Sequence, residues 1–166
     1  MSTDLLRGAV LIGATLTTGL VAGAFVLYAH TLMPGLRRTD DRTFVAAFAA
    51  LDRAIINPWF LIGGFLGAPV LTATAAVAEI GEPTFVWVVA ALVLDLVAVG
   101  VTGAVHLPLN DALKAAADGG VDDPTAVRRE FGESRWARWN LLRGVSSTAA
   151  FAGLAWALVL FGRSAG

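Results

Sequence analysis

Four stretches of this chain are too long and too apolar to belong in water. They cover about residues 5–29, 58–78, 84–107 and 139–161, and each is longer than twenty residues. Such a run crosses the roughly 30 Å hydrocarbon layer of a bilayer at about 1.5 Å per helical residue. Backbone groups inside lipid have no water to bond, so each span must satisfy its own hydrogen bonds as a helix. Barrel strands would be about half this length and would alternate apolar with polar residues. Hydrophobic residues form 57% of the 166-residue chain and charged residues 15%, where a soluble domain carries roughly 25% charge. A chain without cysteine has neither a disulfide framework nor a cysteine zinc site. The net charge of −1 argues against a nucleic-acid partner. The expectation is an all-α, four-transmembrane-helix bundle forming a single domain over residues 1–166. It is an integral, multi-pass membrane protein whose first partner is the lipid bilayer.

Arginine placement orients it. The segment between spans 1 and 2 carries Arg37, Arg38, Arg42 and Arg53, and that between spans 3 and 4 carries Lys114, Arg128, Arg129, Arg135 and Arg138. The terminal ends carry only Arg7 and Arg163, and the turn between spans 2 and 3 has no basic residue. The positive-inside rule then places both long loops in the cytoplasm and both termini outside. Neither loop reads as shapeless. Phe44, Val45, Phe48, Leu51 and Ile55 recur at helical spacing, which predicts an amphipathic helix over 39–55, lying on the membrane surface or leading into span 2. A second short helix is expected over 111–117, ended by Gly119-Gly120. Asp123-Pro124 then reads as a helix start, with Gly132 a weak point on the way into span 4.

The polar residues within or beside the spans gather at one end. His30 and His106 close spans 1 and 3, which run parallel, and Asn57, Asn110, Asn140 and Arg143 lie near the same level. An ionisable group facing lipid is expensive, so these residues are expected to turn inward. His30, Val26, Gly23 and Gly19 share one helix face. The glycines there either allow close helix packing or leave room for a ligand. Asp95, Val99, Thr102 and His106 share another face, and Trp136, Asn140, Arg143 and Ser147 a third. The expected result is a polar pocket under the cytoplasmic surface, with Tyr28, Trp59, Trp136 and Trp139 among its aromatic walls. Asp95, deeper in the bundle, is expected to bond Thr17 or Thr18. Histidine takes a proton near neutral pH, and arginine and amide groups stabilise an enolate or phenolate so formed. A metal shared by the two histidines stays open, as does a homo-oligomer.

Four ordered motifs carry a family resemblance: Tyr28-Ala29-His30-Thr31-Leu32-Met33-Pro34, Asn57-Pro58-Trp59-Phe60, Val105-His106-Leu107-Pro108-Leu109-Asn110, and Arg135-Trp136-Ala137-Arg138-Trp139-Asn140-Leu141-Leu142-Arg143. Together they resemble the anthrone oxygenase-like family of small membrane proteins (DUF1772). Members acting in polyketide pathways oxidise an anthrone methylene to an anthraquinone with O2, with no obvious flavin or haem site. The resemblance thus implies an oxygenase-like pocket for a small hydrophobic or aromatic substrate, with O2 as co-substrate and no cofactor required by the sequence. In that reading His30 or His106 removes a proton, and Arg143 and Asn140 stabilise the anion with Asn110. Tyr28, Asn57, Trp59, Asn110, Trp136 and Trp139 contact the substrate. The competing reading is a non-enzymatic carrier, lipid-binding or scaffold protein. Two histidines reaching one cavity favour the enzyme; two histidines held apart favour the alternative.

Overall fold

The computed structural model describes residues 3–164, and every regular element among them is helical. Helix α1 (Thr3–Leu27) passes through a π-helical turn (Tyr28–Leu32) into the short α2 (Met33–Leu36). After a turn comes α3 (Asp41–Ile55). A longer π-helical segment (Trp59–Leu66) leads into α4 (Gly67–Ala78). Helix α5 (Phe85–Val101) continues through a third π-helical turn (Thr102–His106) into α6 (Leu107–Asp118). The chain ends with α7 (Pro124–Phe131) and α8 (Glu133–Ser164). Four helical stretches, Thr3–Leu36, Trp59–Ala78, Phe85–Asp118 and Pro124–Ser164, are long and apolar enough to cross a membrane. The chain is therefore a multi-pass membrane protein built as a four-helix bundle.

The expected helix stops were placed too early. Span 3 is expected to stop at residue 107 with a separate short helix over 111–117, and the helix instead runs on through Pro108 to Asp118. Proline lacks an N–H and its ring collides with the carbonyl four residues before it. A widened turn relieves that collision, and each π-helical segment here is followed within three residues by a proline: Pro34, Pro69 and Pro108. Gly132 ends α7 in the left-handed region, φ 65°, which glycine reaches without a Cβ penalty. The bend lets α7 fold back while α8 descends into the bundle.

The spans form a ring in which α1 packs on α4 and α8, and α5 on those same two helices. Its core falls into three layers. Leu11, Ala14, Ala75, Val88, Ala91 and Leu154 fill the end nearest the termini. Val21, Phe25, Ala68 and Ala98 form the middle. Phe44, Phe48, Leu113, Phe131 and Trp136 close the arginine-rich end. That last layer answers what the apolar face of α3 is for. It packs on α6 and α7 as a lid of protein. Thr125 donates to Asp41 at 2.7 Å, and Arg128 pairs with Asp41 and Glu133, both at 3.0 Å, tying the two loops together. Between the middle layer and this lid the packing leaves a gap.

Two polar clusters fix the rest of the bundle. Asp95, deep in α5, accepts from Thr72 at 3.0 Å and Thr18 at 3.4 Å, so one of the two expected threonines is its partner and α4 supplies another. Thr17 instead bonds back to its own helix. At the far end Glu79, fully buried, takes Arg7 through Nη2 at 2.9 Å and Nε at 3.1 Å, and the Thr84 hydroxyl donates to it as well. Burial pushes the Glu79 carboxyl up, but the Arg7 and Thr84 hydrogen bonds outweigh it and hold its pKa below the ordinary value. A depressed carboxyl pKa stabilises the fold above the unfolded value, near 4.3, and the gain is lost as pH falls through the folded value. Glu79→Gln is expected to cost about 1–3 kcal/mol at neutral pH. Thermal unfolding in detergent should show the gap between variant and parent closing on acidification; a constant gap across that window contradicts the assignment.

Candidate functional site

A cavity of about 150 Å³ lies in that gap, between the bundle core and the α3 lid. All three π-helical segments wall it. The first brings Tyr28, the second Phe60, Leu61 and Phe65, and the third Thr102 and His106. Phe25, Trp136 and Arg143 complete the inner wall, with Asp52 and Asn110 from the lid side. The mouth is apolar, formed by Ile55, Ile56, Leu61 and Leu107; Ile56 and Leu107 are nearly half exposed. A cavity of this size in an apolar setting holds about one benzene ring.

Arg143 dominates its electrostatics. One turn into the apolar part of α8, it is 7% exposed. Its Nη1 donates to the Thr102 hydroxyl at 3.0 Å and its Nη2 to Asn140 Oδ1 at 2.8 Å. Asn140, itself fully buried, is held by donating to the Phe25 carbonyl at 3.1 Å. The guanidinium lies 4.2 Å from the centre of the Phe25 ring and 5.8 Å from that of Trp136. Nε has no hydrogen-bond partner. Among the described residues no carboxylate forms an ion pair with Arg143. The Asp52 carboxylate acts on it only from across the cavity, and a buried cation without a carboxylate in direct contact costs several kcal/mol. Two of its five N–H donors are used on neutral oxygens, and the others have no hydrogen-bond partner among the described residues.

His106 is 1% exposed and packs edge-on against Trp136, ring centres 4.9 Å apart. Neither ring nitrogen has a partner of hydrogen-bond geometry. Trp136 is fixed by its Nε1, which donates to Asn110 Oδ1 at 2.9 Å. Asn110 in turn donates to Asp52 Oδ1 at 2.6 Å, and Asp52 Oδ2 lies 2.8 Å from Lys114 Nζ. Asp52 is a site residue that the sequence reading missed. Its signal was there: it falls four residues after Phe48, on the apolar stripe of α3, where an aliphatic residue was due.

Several expected site residues lie elsewhere. The expectation that both histidines reach one cavity is corrected. His30 is exposed and lines a separate groove between α1 and α8 with Val26, Leu141 and Val145. Residues 26 and 30 do share a face, but it is the outer one. Phe25 holds the inner face of α1, and five residues further on a helix has turned by about 140°. The two histidines therefore do not form a joint donor set, and no group of three His, Asp or Glu among the described residues could hold a metal ion. Gly19 leaves no void below His30, because the Phe151 ring sits where its Cβ would be, at 2.9 Å. Trp59 is 69% exposed and points away while Phe60 and Leu61 turn in. Trp139 is 39% exposed and does not line the cavity. Asn57 caps the second π-helical segment, accepting from the Phe60 N–H at 3.0 Å and donating to Ala54. Asn140 stands behind Arg143. Of the residues expected to contact a ligand, Tyr28, His106, Asn110, Trp136 and Arg143 are brought together.

No curated protein and no solved structure matches this chain. The family model for anthrone oxygenase does match, over residues 58–153, a stretch that contains His106, Asn110, Trp136, Asn140 and Arg143. With more than half of its length matched, the chain belongs to the anthrone oxygenase family.

Proposed function

We propose that the protein is a membrane-embedded oxygenase that oxidises an acidic, flat aromatic compound to a quinone with O2. The observation that carries this reading is Arg143: a buried guanidinium without a carboxylate partner, stacked on Phe25 in an aromatic cavity. Both termini are placed outside and the cavity on the cytoplasmic side, on the arginine asymmetry of the loops. The substrate enters from the lipid through the apolar mouth. One ring fills the cavity and the remainder of a three-ring compound lies between Ile56, Leu61 and Leu107.

The chemistry balances without a bound redox group. A proton leaves the activated methylene, and the electron pair it leaves behind spreads onto the carbonyl oxygen as an enolate. Arg143 holds that oxygen, an electrostatic stabilisation worth most in a dry site. The anion reduces O2 and bonds to it, giving a hydroperoxide on the former methylene carbon once the peroxide oxygen is protonated. Loss of the second methylene proton and cleavage of the O–O bond release water and leave the new carbonyl. One O2 is consumed, with one oxygen atom in the quinone and one in water. His106 accepts a hydrogen bond from a substrate hydroxyl through a free ring nitrogen. Two groups on the wall can take the methylene proton, His106 and Asp52.

The second reading, a carrier of aromatic compounds, is favoured by the separation of the two histidines. A carrier of anions would use Arg143 equally well. Turnover separates the two readings. Purified protein supplied with anthrone and isotope-labelled O2 should form anthraquinone well above the rate in buffer, with the label in one carbonyl. Binding of anthrone with no acceleration of its oxidation overturns the enzyme in favour of the carrier. His30→Ala is expected to stay within about 0.5 kcal/mol of the parent in stability and to keep its anthrone affinity. A large loss of affinity in that variant would place the site in the outer groove instead.

A further inference from the structure

We infer that Asp52 is the group that accepts the substrate proton, with Lys114 and Asp111 carrying it out to water. This rests on the reading of the cavity as an oxygenase site. Three observations support it. Asp52 is the only acid among the residues that line the cavity. It is 7% exposed and sits on the apolar stripe of α3, a position where an aliphatic side chain would pack without any of its hydrogen-bond demands. It also begins a line of polar groups that leaves the cavity. Lys114 Nζ lies 2.8 Å from Asp52 Oδ2 and 3.0 Å from Asp111 Oδ1, and the Asp111 side chain is 66% exposed.

Charge decides between Asp52 and His106. Both line a small apolar cavity that also holds the Arg143 guanidinium. If His106 took the proton, a neutral substrate and a neutral imidazole would become an anion and a cation, and the new cation would share the cavity with Arg143. Creating charge in a weakly polar site is costly, and like charges at close range add to the cost. If Asp52 takes the proton, no charge is created. The C–H bond breaks, its electron pair stays on the substrate, and the O–H bond forms on Asp52. Negative charge moves across the cavity to the Arg143 side, where its counter-ion waits. Asp52 returns to the carboxylate by giving its proton to Lys114 as Lys114 gives one to Asp111 and water. His106 has no such line of charged groups beside it: its ring is 1% exposed and packs against Trp136 at 4.9 Å, whereas Lys114 Nζ lies 2.8 Å from Asp52.

The test isolates proton removal from oxidation. Anthrone is incubated with the protein in deuterated water without oxygen, and exchange of its methylene hydrogens is followed by NMR. The parent protein should accelerate exchange above buffer. Asp52→Asn should lose about 10²–10⁴-fold of that acceleration while still binding anthrone, read by quenching of tryptophan fluorescence. Asp52→Glu, which keeps a carboxyl group, should recover part of it. His106→Gln should raise the KM for exchange and keep a measurable kcat. Should Asp52→Asn fail to fold, the histidine variant decides. Parent-like exchange in Asp52→Asn, or exchange abolished by His106→Gln at saturating anthrone, overturns the inference and leaves the oxygenase reading standing. A parent protein that neither exchanges nor oxidises anthrone overturns the oxygenase reading itself, and this inference with it.

Discussion

Arg143→Lys is expected to lower kcat for anthrone oxidation by about 10²–10³-fold, the usual loss when a donor to a developing oxyanion is removed. The substitution keeps the positive charge, so it tests geometry. The guanidinium spans Thr102 at 3.0 Å and Asn140 at 2.8 Å while its central carbon lies over the Phe25 ring, 4.2 Å from its centre. A compact ammonium cannot make both bonds, keep the stack and still present donors to a ligand. Folding should survive, because the substituted side chain keeps an apolar stem and a charge at the same level of α8. Steady-state kinetics alongside a thermal unfolding curve check both halves. Parent-like kcat in a folded Arg143→Lys protein would show that a point charge suffices and that the fork has no part in the reaction.

Trp136→Ala carries the largest expected effect on stability, about 3–5 kcal/mol for a buried aromatic truncated to alanine. The ring is 2% exposed and meets four others: Tyr28 at 5.8 Å, Phe48 at 5.6 Å, His106 at 4.9 Å and Phe131 at 6.3 Å. It joins α8 to the α3 lid, and removing it also orphans Asn110 Oδ1. Phe48 and Phe131 of the lid layer both pack on this ring, so the lid should loosen before the bundle does. Trp136→Phe keeps most of the packing and loses only the hydrogen bond, at about 1–3 kcal/mol. Unfolding in detergent, followed by near-UV dichroism, should rank parent, Phe and Ala in that order. An Ala variant as stable as the parent would contradict the description of the lid as packed core.

The four spans were legible because an apolar run in lipid has one backbone solution. Their ends were not, because the proline at 108 was met by a π-helical turn instead of a break, and no hydropathy pattern announces that. Arg143, His106, Asn110 and Trp136 could be found because polar or amphipathic residues stand out against an apolar background. Asp52 interrupts the apolar stripe of α3, but an amphipathic helix shows its own stripe and not whether lipid or protein covers it, so the pattern alone does not bring that acid to the cavity. His30 failed for a related reason. Its face was grouped correctly, but which face of α1 turns inward depends on partners such as Phe151 against Gly19 and Leu154 in the core. Trp59 was lost to the π-helical segment around it, which re-phases the residues from 59 to 66 and brings Phe60, Leu61 and Phe65 inward in its place.

The central claim is that the cavity binds an acidic aromatic compound as its anion beside Arg143. The absorption spectrum of anthrone mixed with the protein under nitrogen tests this directly. The account predicts the long-wavelength band of the enolate at a pH where free anthrone stays in its keto form, absent in Arg143→Met, and replaced by the anthraquinone spectrum when air is admitted. Anthrone that binds and keeps its neutral keto spectrum would contradict it.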